Sequence, residues 1–75
     1  MEQFSKIIQW HRKKSKLSQI QLAELAGVGK TVVFDIEHGK ETIRFSSLQK
    51  VCGVLNISIQ MASPLMERCV KEITR

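Results

Sequence analysis

Residues 23–40, AELAGVGKTVVFDIEHGK, decide how this chain folds. Ala23 is followed four positions later by Gly27, and then by Val33 and Ile36 at helical spacing. Glycine tolerates the left-handed backbone that a tight turn between helices requires, so Gly27-Val28-Gly29 reads as a turn. The flanking segments, about residues 19–26 and 30–38, read as short helices, and Gly39 is the natural stop of the later one. Ala23 is small where that helix crosses, while Val28, Val33 and Ile36 fill the angle between the two.

Two short helices joined by a three-residue glycine turn make a helix-turn-helix arrangement. Lys30, Thr31, Phe34 and Asp35 then share an outward face near the N-terminus of the later helix. Phe34 is out of place on a solvated polar face, but it fits a face that packs on thymine methyls in a DNA major groove. On that reading Lys30 contacts guanine, Thr31 donates to a base or phosphate, and Asp35 accepts from a cytosine amino group.

Working outward, residues 2–15 form an amphipathic helix with Phe4, Ile7, Ile8 and His11 on one side. Lys6, Arg12, Lys13, Lys14 and Lys16 make its other side basic, and Trp10 lies at the edge of the apolar stripe. Ser18 is an N-cap, with Gln21 three residues later to complete a capping box. In the helix that follows, the apolar positions are Ile20, Leu22, Ala23, Leu25 and Ala26. After the loop GKETIRF, Ser46 or Ser47 caps a fourth helix with Leu48, Val51, Cys52 and Leu55 facing inward. The pattern then changes: NISIQMAS alternates Ile57, Ile59 and Met61 with Ser58, Gln60 and Ala62, the period of a half-buried strand. A lone strand leaves backbone hydrogen bonds unmade, so it is expected to pair with a second copy across a twofold axis. Beyond Pro64 a short fifth helix presents Leu65, Met66, Cys69, Val70 and Ile73.

The totals set the frame. Seventy-five residues are one small domain, 43% hydrophobic and 25% charged. Lys and Arg number 12 against 7 Asp and Glu, a balance of +5 that favours polyanions, nucleic acid first. Cys52 and Cys69 lie outside any metal-finger spacing and fall in apolar helical patterns, which favours a reduced pair over a disulfide. His11 and His38 share no ligand spacing with them, so no metal or cofactor is expected. No nucleophile stands with a base, no carboxylates pair and no phosphate loop occurs, so an enzyme is not expected. The first residues lack an apolar signal core and no run approaches a membrane span, which points to the cytoplasm.

The stretch LSQIQLAELAGVGKTVVFDIEHGK, with RFSSLQKVCGVLNI after it, resembles the phage-repressor (Xre-type) helix-turn-helix family over about residues 4–57. The strand after the fourth helix resembles the HipB-type antitoxin branch, where C-terminal strands pair in the dimer. The chain departs from the pattern at Gly29 and Lys30, where Ser or Thr and a polar residue are usual, and residues 64–75 lie beyond the match. Ser18 and Gln19 open a helix whose free N–H groups suit a phosphate, and the resemblance puts Gln19 against the DNA backbone. Lys40 and Arg44 flank the reading helix and are expected on phosphates or in the neighbouring minor groove, Arg44 as part of the family's R-F pair. Arg12 and Glu37 match a pair that commonly ties the first helix to the third, a structural role.

The expectation is therefore an all-α, lambda-repressor-like domain of about five helices with one short C-terminal strand. Residues 1–56 bind DNA, and residues 57–75 serve dimerisation, through Ile57, Ile59 and Met61, or partner contact. The protein would bind a palindromic operator in double-stranded DNA as a symmetric homodimer and repress transcription. The resemblance adds the role of antitoxin and autoregulator for a HipA-like kinase toxin. A stand-alone phage-type repressor, or an interaction module without DNA binding, are the alternatives.

Overall fold

The computed structural model describes residues 2–74, in which five α-helices follow one another: α1 (Glu2–Lys14), α2 (Gln19–Ala26), α3 (Lys30–Glu37), α4 (Phe45–Val54) and α5 (Met66–Ile73). The first four enclose one core. Ile8 comes from α1, Leu22 and Ala23 from α2, Val33 and Ile36 from α3, and Val51 and Cys52 from α4, with Leu55 just beyond it. Phe4, Leu17, Val28, Ile43, Leu48 and Ile57 pack around its rim. Burial of that apolar surface, rather than helix propensity, holds helices this short in place.

The helix ends show local sequence acting directly. Ser18 Oγ accepts from the Gln21 backbone N–H at 3.0 Å, and Gln21 Oε1 accepts from the Ser18 N–H at 2.8 Å, so the capping box is complete. Gly27 lies at φ +70° and lets the Val28 N–H reach back to the Ala23 carbonyl at 3.0 Å, which turns the chain into α3. Lys16, at φ +59°, closes α1 in the same way without being glycine. Its Cβ strains a left-handed backbone by roughly 1–2 kcal/mol. The substitution Lys16→Gly is therefore expected to stabilise the domain by about 0.5–1 kcal/mol after the entropy of the unfolded chain is counted, seen as a higher urea midpoint.

Three sequence expectations are corrected. No strand forms among the described residues: 57–63 have no regular structure, since a single chain offers this segment no ladder partner. Helix α4 begins before the serines expected to cap it. Arg44 takes the extended N-cap backbone with no side-chain cap, and its carbonyl accepts from the Leu48 N–H at 3.1 Å, which places Ser46 and Ser47 inside the first turn. Finally, Ile7, Ile20 and Leu25 lie at the surface rather than inside.

Helix α5 stands apart. Leu65 and all of α5 except Met66 are exposed, as are Ile59 and Met61 before it. The molecule accordingly extends 43 Å along one axis and 23 and 22 Å along the others. Glu67–Lys71 and Arg68–Glu72 pair one turn apart along α5 at 3.4 and 3.3 Å, pairs that add only a few tenths of a kcal/mol each. The two thiols differ sharply. Cys69 is exposed, whereas Cys52 is 1% exposed and burial pushes its pKa up. Because the thiolate is the reactive form, native protein is expected to take up one equivalent of iodoacetamide, at Cys69. Cys52 should react only in denaturant, as peptide mass spectrometry would show.

Candidate nucleic-acid interface

The N-terminal ends of α2 and α3 meet at the surface around a shallow depression lined by Gln19, Ile20, Lys30, Thr31 and Phe34. The turn at Gly27–Gly29 brings them together, and the buried Ala23, Val33 and Ile36 fix the two helices behind it. Lys30 and Thr31 occupy the first turn of α3, which has no side-chain cap at Gly29, so its end presents open N–H groups and a partial positive charge. Phe34 is 49% exposed, and His38 stacks on it with ring centroids 3.8 Å apart and planes 23° apart. His38 Nδ1 also lies 2.7 Å from the Phe34 carbonyl oxygen.

Of the residues singled out in the sequence, Lys30, Thr31, Phe34 and Gln19 gather at this depression. Asp35 does not line it. It faces Lys40 instead, whose Nζ lies 3.4 Å from Asp35 Oδ2, so an expected base reader and an expected phosphate contact pair with each other. Both side chains are solvated, and an exposed pair of that length holds them only weakly. Ser18 is exposed, its oxygen committed to the cap, and Arg44 stands at the N-cap of α4, also exposed.

Behind the face lies an ionic knot. Arg12 Nε donates to Glu37 Oε2 at 2.6 Å and Arg12 Nη2 to Glu37 Oε1 at 2.9 Å, a forked pair with both residues 9% exposed. Arg12 Nη1 donates to the Leu17 carbonyl at 2.9 Å, and Gln19 Nε2 donates to Glu37 Oε1 at 3.2 Å. Three helices are thereby referenced to one carboxylate. The side-chain amide nitrogen of Gln19 is thereby drawn inward, while its backbone N–H belongs to the first turn of α2, whose donors have no carbonyl partner within the helix.

Two residues at this face escaped the sequence reading. Ile20 is one of the apolar positions of its helix, yet it is 55% exposed. The available signal was angular, because it lies two positions before the buried Leu22 and so on nearly the opposite side of the helix. His38 sits one turn after Phe34, the spacing at which helical side chains touch.

The profile of the helix-turn-helix family matches residues 8–61, which contain α2, α3 and α4 whole. The chain belongs to the helix-turn-helix family. This helix-turn-helix protein is 40% identical over 48 residues to an immunity repressor protein of Bacillus phage phi105, covering 64% of the chain and 33% of the repressor. It is 38% identical over 53 residues to an uncharacterized HTH-type transcriptional regulator, y4mF, of Sinorhizobium fredii (strain NBRC 101917 / NGR234), covering 71% of the chain and 70% of the regulator. The chain thus spans about a third of the phage repressor's length. Among solved structures it superposes with a TM-score of 0.67 on a chain of a SinR protein/SinI protein complex, at 28% identity over 95% of this chain and 78% of that one. A chain of a HipA-HipB-O2-O3 complex shares the fold at a TM-score of 0.75 and 16% identity, covering 84% of this chain and 89% of that one. No helix of the described residues is long and apolar enough to cross a membrane.

Proposed function

We propose that this helix-turn-helix protein binds double-stranded DNA in a sequence-dependent way and represses transcription by occupying a promoter. The observation that supports it is the outward face at the N-termini of α2 and α3, where Lys30, Thr31 and Phe34 stand beside Gln19 with no acidic side chain lining the depression. Lys30 and Thr31 address base edges or phosphates, while Ser18, Gln19, Lys40 and Arg44 meet the backbone on either side. The protein acts as a symmetric dimer, with two α3 helices about 34 Å apart on one face of a palindromic operator. Ile57, Ile59 and Met61 supply the dimer contact. Ile59 and Met61 are exposed in the single chain, and strand pairing across a twofold axis would give residues 57–63 the ladder they lack.

The reading extends to an antitoxin that represses its own operon and holds a HipA-like kinase toxin. Its support is the alternating segment after α4, and the exposed apolar residues of α5 that remain for a protein partner. Mass spectrometry of complexes purified from the native host separates this role from that of a stand-alone repressor, since only the antitoxin brings a kinase-like partner.

Selection of bound sites from random duplexes, at two salt concentrations, tests the DNA reading. A palindrome with half-sites one helical turn apart is expected, whereas salt-insensitive binding without preference would make the domain an interaction module. On the selected site, Lys30→Ala is expected to cost about 1–3 kcal/mol and relax preference at one base position. Arg44→Ala is expected instead to weaken all sequences alike and to lower the slope of log affinity against log salt by about one.

A further inference from the structure

The depression between α2 and α3 has an apolar wall that a purely polar reading helix does not need. Ile20 is 55% exposed and Phe34 is 49% exposed, and both line it together with Gln19, Lys30 and Thr31. The two apolar side chains come from different helices, so the turn at Gly27–Gly29 is what places them side by side. Phe34 is already held by its stack on His38 at 3.8 Å, which lowers the entropy lost when the wall meets a ligand.

We propose that Ile20 and Phe34 form a receptor for the 5-methyl group of a pyrimidine; the proposal rests on the DNA-reading function stated above. In the major groove the base edges present donors, acceptors and one kind of apolar group, the C5-methyl. An apolar wall on a groove-facing helix pair has no other base feature to desolvate against. The rim agrees with this occupant. Lys30 is placed to donate to acceptors of a purine next to the methylated pyrimidine, and the Thr31 hydroxyl serves a base or phosphate at the same edge. The one acidic residue on the outward face, Asp35, faces Lys40 and stays out of the depression, so nothing there repels the DNA. Thymine and 5-methylcytosine offer the same methyl at the same place in the groove, so the receptor reads methylation state as well as sequence.

The test uses the full chain and the duplex recovered by selection from random sequence. Each thymine is replaced in turn by deoxyuridine, which removes only the methyl. At the thymine that meets the receptor, affinity is expected to fall about fourfold, the value of one buried methyl-sized group. The loss should vanish in the double variant Ile20→Ala/Phe34→Ala, whose exposed positions leave the core intact; its helical circular dichroism and urea midpoint check that. Placing cytosine and 5-methylcytosine at the sensitive position distinguishes the sources. An equal gain on methylation means that the methyl alone is recognised, whereas no gain overturns the reading of methylation state and leaves thymine as the one source. If every deoxyuridine duplex binds like its parent while sequence preference persists, the receptor is overturned and the DNA-reading function stands. Binding without any preference would overturn both.

Discussion

Replacing Glu37 by alanine is expected to cost about 3–5 kcal/mol, because it leaves the Arg12 guanidinium buried without its carboxylate. A chain of this size has roughly 0.05–0.15 kcal/mol per residue of stability, about 4–11 kcal/mol in total, so the substitution removes a large share of it and should lower the urea midpoint steeply. The loss reaches beyond one pair. Glu37 Oε1 also accepts from Gln19 Nε2, and Arg12 also holds the Leu17 carbonyl, so α1, the loop after it, α2 and α3 lose their common reference together. Arg12→Lys should recover little, since an ammonium cannot make the two parallel bonds of the fork. Replacing both partners by apolar residues, as in Arg12→Met/Glu37→Leu, is expected to restore most of the stability, because no charge is then stranded. Urea denaturation of the parent and the three variants checks the series. A Glu37→Ala cost below about 1 kcal/mol would show that the pair behaves as a solvated one.

The second large effect comes from ending the chain at Ser58. Every buried core residue lies between Ile8 and Leu55, and Ile57, whose N–H bonds the Cys52 carbonyl at 2.9 Å, is retained. The shortened chain should therefore keep its helical circular dichroism and a urea midpoint close to the parent's. On the dimeric reading proposed above, it should sediment as a monomer and lose about a hundredfold or more in affinity for a palindromic site, because two half-sites are no longer engaged by one linked pair. Retention of dimer and affinity would move the interface onto α1–α4.

The arrangement of α1–α4 was legible in the sequence because it is written in local chemistry. Ser18 with Gln21, Gly27, and Gly39 are signals whose geometry depends on residues a few positions away. Helical spacing likewise pointed to Ile8, Leu22, Val33, Ile36, Val51 and Cys52, all buried. What the sequence left hidden depends on distance and angle. Leu25 is as hydrophobic as Leu22 and lies within one turn of it, and only the crossing of α3 and α4 over α2 decides which of the two is covered. Arg44 had no capping side chain to advertise the start of α4. The alternation at Ile57, Ile59 and Met61 is a pattern that needs a second backbone before it becomes a strand. At the depression between α2 and α3, the spacing groups Lys30, Thr31 and Phe34, but the tie of Asp35 to Lys40 and the inward draw of the Gln19 amide arise from partners five and eighteen residues away.

The separation of α5 from the four packed helices has an evolutionary consequence. Substitutions in Leu65–Ile73 share no buried neighbours with Lys30, Thr31 or Phe34, so their energetic effects should add rather than interact. Selection can then rewrite the tail, and with it the company the protein keeps, while the proposed DNA-reading surface between α2 and α3 is inherited unchanged. The family profile ends at residue 61, before α5 begins, where one rate of change would give way to another. A domain built this way can be rewired to a new regulatory circuit by its last dozen residues without first surviving a spell as a broken reader.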